Sequence, residues 1–318
     1  MLVLAALLLA GLYVGWNIGA NDAGNCIGTA VGSQILSYRR AILIVSVFAV
    51  LGAVLQGRGV IDTIGKGIVA GEISIAGILI SLLSAGAVVT AATVLGLPVS
   101  TGEAVVGAVV GVGLASGLAI DGAILLNIGA VWLVCPFLTA LLSYLLFRSL
   151  GAIFQRIRRL AMADAVLKVL LILSSAYVAF SMGASNAGKA VGPIANAGID
   201  PGWLSLLGGL ALAFGILTYG RRVTETIGSG IVQLAPLTAF CAQTAAALAI
   251  HSFSILGIPV STSQAVVGAI VGVGLVKGVQ AVRGRRLVGI GAGWVATPTA
   301  AGVFSYLVYR LVGALGWV

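Results

Sequence analysis

The sequence predicts an all-α polytopic membrane protein built from two inverted-topology repeats, each of about five transmembrane helices with broken or re-entrant segments. Three observations carry that prediction. Of 318 residues, 60% are hydrophobic and only 8% charged, with a mean hydropathy of +1.18, whereas soluble domains carry roughly 25% charged residues. Apolar runs of about 20 residues, the length a bilayer requires, recur along the chain. Three polar motifs each occur twice, in the same order.

Composition also excludes classes. A net charge of +9 suits a nucleic-acid binder, but the basic residues lie in short loops between apolar runs, not on one soluble face. Cys26, Cys135 and Cys241 lie in apolar segments without CxxC spacing, so they read as small buried hydrophobes. Residues 1–16 are apolar like a signal segment, yet no Lys or Arg precedes the run and a polar motif follows it. The run therefore reads as a retained first membrane helix. Forty-six glycines suit close helix packing in lipid.

About ten crossings are expected, near 1–18, 41–57, 72–94, 103–120, 122–147, 168–184, 203–219, 232–256, 263–278 and 287–313. With the amino terminus outside, the inner loops hold Arg39, Arg40, Arg148, Arg156, Arg158, Arg159, Lys168, Arg221, Arg222, Lys277, Arg283, Arg285 and Arg286, thirteen of the 17 basic residues. The opposite orientation inverts the ratio, so a multi-pass protein of the cell membrane with both termini outside is expected. The basic stretch 148–168 reads as a cytoplasmic linker between a first repeat, 1–147, and a second, 169–318.

The repetition is specific. Gly19-Ala20-Asn21-Asp22-Ala23-Gly24-Asn25 returns as Gly183-Ala184-Ser185-Asn186-Ala187-Gly188-Lys189. Asp62-Thr63-Ile64-Gly65-Lys66-Gly67-Ile68 returns as Glu225-Thr226-Ile227-Gly228-Ser229-Gly230-Ile231. Pro98-Val99-Ser100-Thr101-Gly102-Glu103 returns as Pro259-Val260-Ser261-Thr262-Ser263-Gln264. The offsets are 164, 163 and 161 residues, which marks one duplicated unit. Five crossings per unit is an odd number, so the second copy enters the membrane upside down, as in secondary transporters that bind substrate where broken helices meet at the midplane.

Each motif has a bland and a chemical reading. Gly, Asn and Asp after an apolar run read as a helix break, tolerated in lipid only where it lines a polar cavity. Asp22 caps a helix on the bland reading. On the chemical one its carboxylate, with oxygens of Asn21 and Asn25, takes a hard cation. Pro98 and Pro259 fix breaks after which Ser100/Thr101 and Ser261/Thr262 start new helices. There the hydroxyls and free N–H groups either cap or bind an anion, and the two roles are compatible. His251, the one histidine, reads as a packed or interfacial side chain rather than a proton relay.

These duplicated motifs resemble the inorganic phosphate transporter (PiT) family, which also includes sulfate permeases. The resemblance covers nearly the whole chain. It implies a symporter of inorganic phosphate coupled to sodium or a proton, without a cofactor and not an enzyme, working as a homodimer in the bilayer and binding no nucleic acid. Sulfate is the alternative substrate, and an anion channel a further alternative. The substrate side of the implied site is Asn21, Ser100, Thr101, Ser185, Asn186, Lys189, Ser261, Thr262 and Ser263. The coupling-cation side is Asp22, Asn25, Glu103, Gln243 and Gln264, with Asp22 and Asn25 as sodium ligands.

The two copies disagree at one place. Asp22 and Asn25 correspond to Asn186 and Lys189, so the second copy has lost a carboxylate and gained an ammonium. Lys189 either snorkels to the outer interface or stands in for an ion inside the site.

Overall fold

In lipid every backbone N–H and C=O must be paired within the chain, and this chain meets that demand almost entirely with helix. The structure is a computed structural model that describes residues 2–32, 36–94, 99–156, 159–230, 235–276 and 284–316; at 28–30, 32, 93–94, 160, 221–230 and 284–288 it describes the backbone course alone. The first repeat runs α1 (Leu2–Gly32), α2 (Tyr38–Gln56), α3 (Arg58–Asp62), a π-helical turn (Thr63–Gly67), β1 (Val69–Ala70), α4 (Ile75–Val94), α5 (Thr101–Ala115), β2 (Ala119–Ile120) and α6 (Gly122–Phe154). The second runs α7 (Leu160–Val191), a 3₁₀ turn (Gly192–Ala197), α8 (Pro201–Gly230), α9 (Pro236–Ile255), α10 (Thr262–Val276) and α11 (Gly284–Ala314). The two short strands pair antiparallel, Val69 with Ile120. Asp121 caps α6 by accepting from the backbone N–H of Ala123 and Ile124, each at 3.0 Å, and Asp200 starts α8 in the same way.

The repeats are interleaved. α1 packs on α8 as α2 packs on α7, and α5 packs on α11 as α10 packs on α6. Small residues make these exchanges close. A Cβ on Gly19 would lie 2.1 Å from the Leu212 carbonyl oxygen, and one on Gly183 would lie 1.9 Å from that of Ala49. The same holds for Gly107 on Pro298 and Gly268 on Pro136, where both prolines stand inside long helices. Ser143 Oγ donates to the Ala269 carbonyl at 2.8 Å, and Ser305 Oγ to that of Ala108 at 2.9 Å. Each contact has its partner one repeat away.

Among the described residues, seven helices are long and apolar enough to cross a membrane, and α5 and α10 are shorter, at 15 residues. Fifteen residues span about 22 Å, short of a core about 30 Å thick. The expected crossings at 103–120 and 263–278 are therefore helices too short to span the core. The expected crossing at 287–313 falls in α11, long enough but diluted by Gly, Thr297 and Pro298. The apolar side chains left outside, among them Leu126, Leu133 and Phe137 of α6, form a surface that lipid rather than water suits.

One expectation fails. The Gly19–Asn25 motif does not end a helix: α1 runs through it to Gly32, and α7 runs through the second copy to Val191. Its glycines serve close packing, and its polar side chains bond to each other, so neither unwinds the backbone. In the second copy, where Pro259 is described, the break lies at the Pro-Val-Ser-Thr motif: residues 258–261 form neither helix nor strand between α9 and α10. Pro98 lies outside the described residues. The stretch 148–168 is mostly helical, since α6 ends at Phe154 and α7 begins at Leu160.

Candidate functional site

Residues three apart on a helix share a face, so Asp22 and Asn25 point together from α1, and Asn186 and Lys189 from α7. The two helices pack against each other and bring the pairs face to face. Asn186 Nδ2 donates to Asp22 Oδ2 at 2.7 Å, and Asn25 Nδ2 to Asp22 Oδ1 at 3.2 Å. Lys189 Nζ donates to Asn186 Oδ1 at 2.6 Å and to the Val260 carbonyl. Thr262 Oγ1 reaches the same Asn186 oxygen at 3.3 Å. A carboxylate on one side and an ammonium on the other orient the Asn186 amide. Lys189 is 1% exposed, so it does not snorkel to an interface. Among the described residues, the one ion pair within 4.0 Å is the exposed Arg58–Asp62; Lys189 meets Asp22 through the amide.

The two short helices supply the rest. Ser100 precedes the first residue of α5 and Ser261 that of α10, and their hydroxyls meet at 2.9 Å. Ser261 Oγ also accepts from the backbone N–H of Gln264 at 3.3 Å. Two helix starts, with their positive dipole ends, thus converge on one pair of hydroxyls. One turn inward, Gln264 Nε2 donates to Glu103 Oε1 at 2.7 Å. Glu103 Oε2, Gln264 Oε1 and the Ser185 hydroxyl are buried without a partner in the protein, which buried polar groups rarely are.

Charge is concentrated here. Among the described side chains, Asp22, Glu103 and Lys189 are the buried charged ones, and all three belong to this cluster. Most residues singled out in the sequence therefore come together. Asn21 is half-buried and Ser263 partly exposed, and neither joins the hydrogen bonds described above. Gln243, on α9, meets α1 one turn on from Asp22: its amide donates to the Cys26 carbonyl at 2.9 Å and accepts from Ser174 at 2.7 Å.

Sequence reasoning missed two features. The Val260 carbonyl is a ligand no motif reveals. A second symmetric pair, Tyr13–Thr90 at 2.6 Å and Tyr177–His251 at 2.8 Å, lies off the motifs, and the repeat offsets of 164 and 161 residues would have found it. His251 also contacts Gln56 at 2.5 Å, a packed role.

A charged, hydrogen-bonded centre buried between two converging helix starts is the architecture of a membrane transporter. Comparison with known proteins agrees. The signature of the phosphate transporter family matches residues 18–167 and again 154–305. The chain belongs to that family. It is 28% identical to a Pyrococcus furiosus protein named “Putative phosphate permease”, over 86% of this chain and 87% of that one. It is 31% identical to the Rhizobium meliloti “Probable low-affinity inorganic phosphate transporter”, over 87% and 86%. A solved structure titled the sodium-dependent phosphate transporter superposes with a TM-score of 0.90 at 27% identity, covering 99% of this chain and all of that one.

Proposed function

We propose that this protein is a secondary active symporter that carries inorganic phosphate together with sodium, by alternating access to a site near the membrane midplane. The single observation that carries the reading is the Ser100–Ser261 contact. It joins two helix starts, each followed by a buried threonine (Thr101 and Thr262), and the Lys189 ammonium bonds to the Val260 carbonyl one residue before Ser261. Convergent N–H groups, hydroxyls and an ammonium suit a tetrahedral oxyanion. Asp22 and Asn25 supply the oxygens that a hard cation needs. The unpaired Glu103, Gln264 and Ser185 atoms are the remaining acceptors and donor for cargo, and Asn21, Asn186, Ser263 and Gln243 complete the lining and its support. The two exchanging halves are 1–147 and 169–318, joined through 148–168, with both termini outside and two copies forming a dimer.

The test is uptake of labelled phosphate and of labelled sulfate by the reconstituted protein, with sodium and proton gradients imposed separately. Sodium-driven phosphate uptake is the expected result. Sulfate uptake without phosphate uptake replaces the substrate, proton-driven uptake replaces the ion, and uptake indifferent to both gradients makes the protein a channel.

A further inference from the structure

The network treats the two repeats unequally. Placing the second repeat on the first exchanges Asn186 for Asp22, Lys189 for Asn25 and Val260 for Val99. In the second repeat the Lys189 ammonium sits among an amide oxygen and a backbone carbonyl, with Asn186 relaying it to Asp22. Those are oxygens of the kind that bind a sodium ion. In the first repeat the corresponding residues are Asp22, Asn25 and Val99, none of them basic, and Asn25 Nδ2 there donates to Asp22.

We propose that Lys189 is a resident cation that fills the second repeat's ion position permanently, so that a single exchangeable cation, bound beside Asp22, couples transport. The inference rests on the cation-coupled reading above and deepens it.

Two further observations agree. The place is built for a lysine: a Cβ on Gly102 would lie 2.7 Å from Lys189 Cδ and 2.9 Å from Cε, so a residue without a side chain leaves the stem its room. The symmetric pair is the reverse, with short Asn25 and, in place of Gly102, the larger Ser263. Charge agrees as well. The buried described charges are two carboxylates, Asp22 and Glu103, and one ammonium, Lys189. The acidic side chains outnumber the ammonium by one, which favours a bound cation, as unpaired buried charge is costly. An ammonium carries three donors; two are used, and the third remains for an oxyanion. Lys189 thus carries the charge of an ion without being transported.

The experiment is the dependence of phosphate uptake on cation concentration in proteoliposomes. The parent should show a Hill slope of about 1, since slopes are bounded by the number of coupled sites. Asn186→Asp with Lys189→Asn rebuilds the first repeat's ligand set in the second, and its slope should rise toward about 2. A parent slope clearly above 1 overturns the proposal by itself, whether or not the double variant folds. Equal slopes in two active proteins overturn it as well. If sulfate rather than phosphate is carried, the proposed substrate fails and the slopes are read with sulfate, because the number of ion positions does not depend on the anion.

Discussion

Ser100 and Ser261 lie 161 residues apart in the chain and 2.9 Å apart in space. Their contact joins the starts of the two short helices, and each serine holds the same place in its copy of one motif. Two copies of one motif thus meet at the interface between the repeats, the place where transporters built from inverted repeats bind substrate.

Replacing these hydroxyls should weaken substrate binding. A hydrogen bond to a charged group is worth roughly 1.5–3 kcal/mol. Ser100→Ala with Thr101→Ala, or Ser261→Ala with Thr262→Ala, should therefore raise the substrate dissociation constant about tenfold or more per lost contact. Isotherms for labelled phosphate check this, and curves that overlay the parent's would remove these hydroxyls from the anion site.

Asp22→Asn should abolish coupled uptake while leaving the protein inserted. The amide keeps the shape and its oxygen still accepts from Asn186, so the 2.7 Å contact survives; the negative charge goes, and with it the oxygen that accepts from Asn25. Size-exclusion profiles report the fold and sodium-driven uptake reports the function. Parent-like uptake in this variant would show that the carboxylate is not the cation's ligand.

Gly102→Ala tests the room left for Lys189. The new methyl lies within 2.7–3.1 Å of the lysine's Cδ, Cε and Nζ, which is flexible enough to yield. The protein should fold, and its uptake should fall several-fold as the ammonium leaves the Val260 carbonyl and Asn186. Parent-like kinetics would show that the stem has another way in.

Gly19→Ala and Gly183→Ala should lower thermal stability instead. Each methyl would meet a backbone carbonyl of the other repeat, at 2.1 and 1.9 Å, and backbone yields less than a side chain. Overpacking of this kind costs about 1–3 kcal/mol. Melting temperatures in detergent check it, with Gly122→Ala, which has open space at its Cβ, as the control.

Much of this was legible in the chain itself. The membrane class followed from 8% charged residues, and the inverted repeat from three motifs at matching offsets. Asp22 stood out as an acid beside an apolar run. The path of α1 through its Asn, Asp and Gly residues was not legible, because their poor helix propensity is overridden by packing against Leu212 and by bonds to Asn186. The inward course of Lys189 depends on Gly102, 87 positions away, and a lysine near an apolar boundary otherwise reads as a snorkelling one. The Val260 carbonyl is backbone, which no residue pattern reports.

The interleaving of the repeats also bears on how the protein is made. Asp22 leaves the ribosome 164 residues ahead of Asn186, and at about 5–20 residues per second that is a wait of roughly 10–30 s. Throughout it α1 holds a carboxylate with no partner from α7, and Gly19 faces no Leu212. A helix bearing an unpaired acid is costly to release into lipid. The first half is therefore an incomplete insertion intermediate, to be sheltered by the insertion machinery or kept at the bilayer's edge until the second half arrives. Truncation after α6 should yield a chain that the membrane's quality control removes, because the groups that neutralise its core have not yet been synthesised.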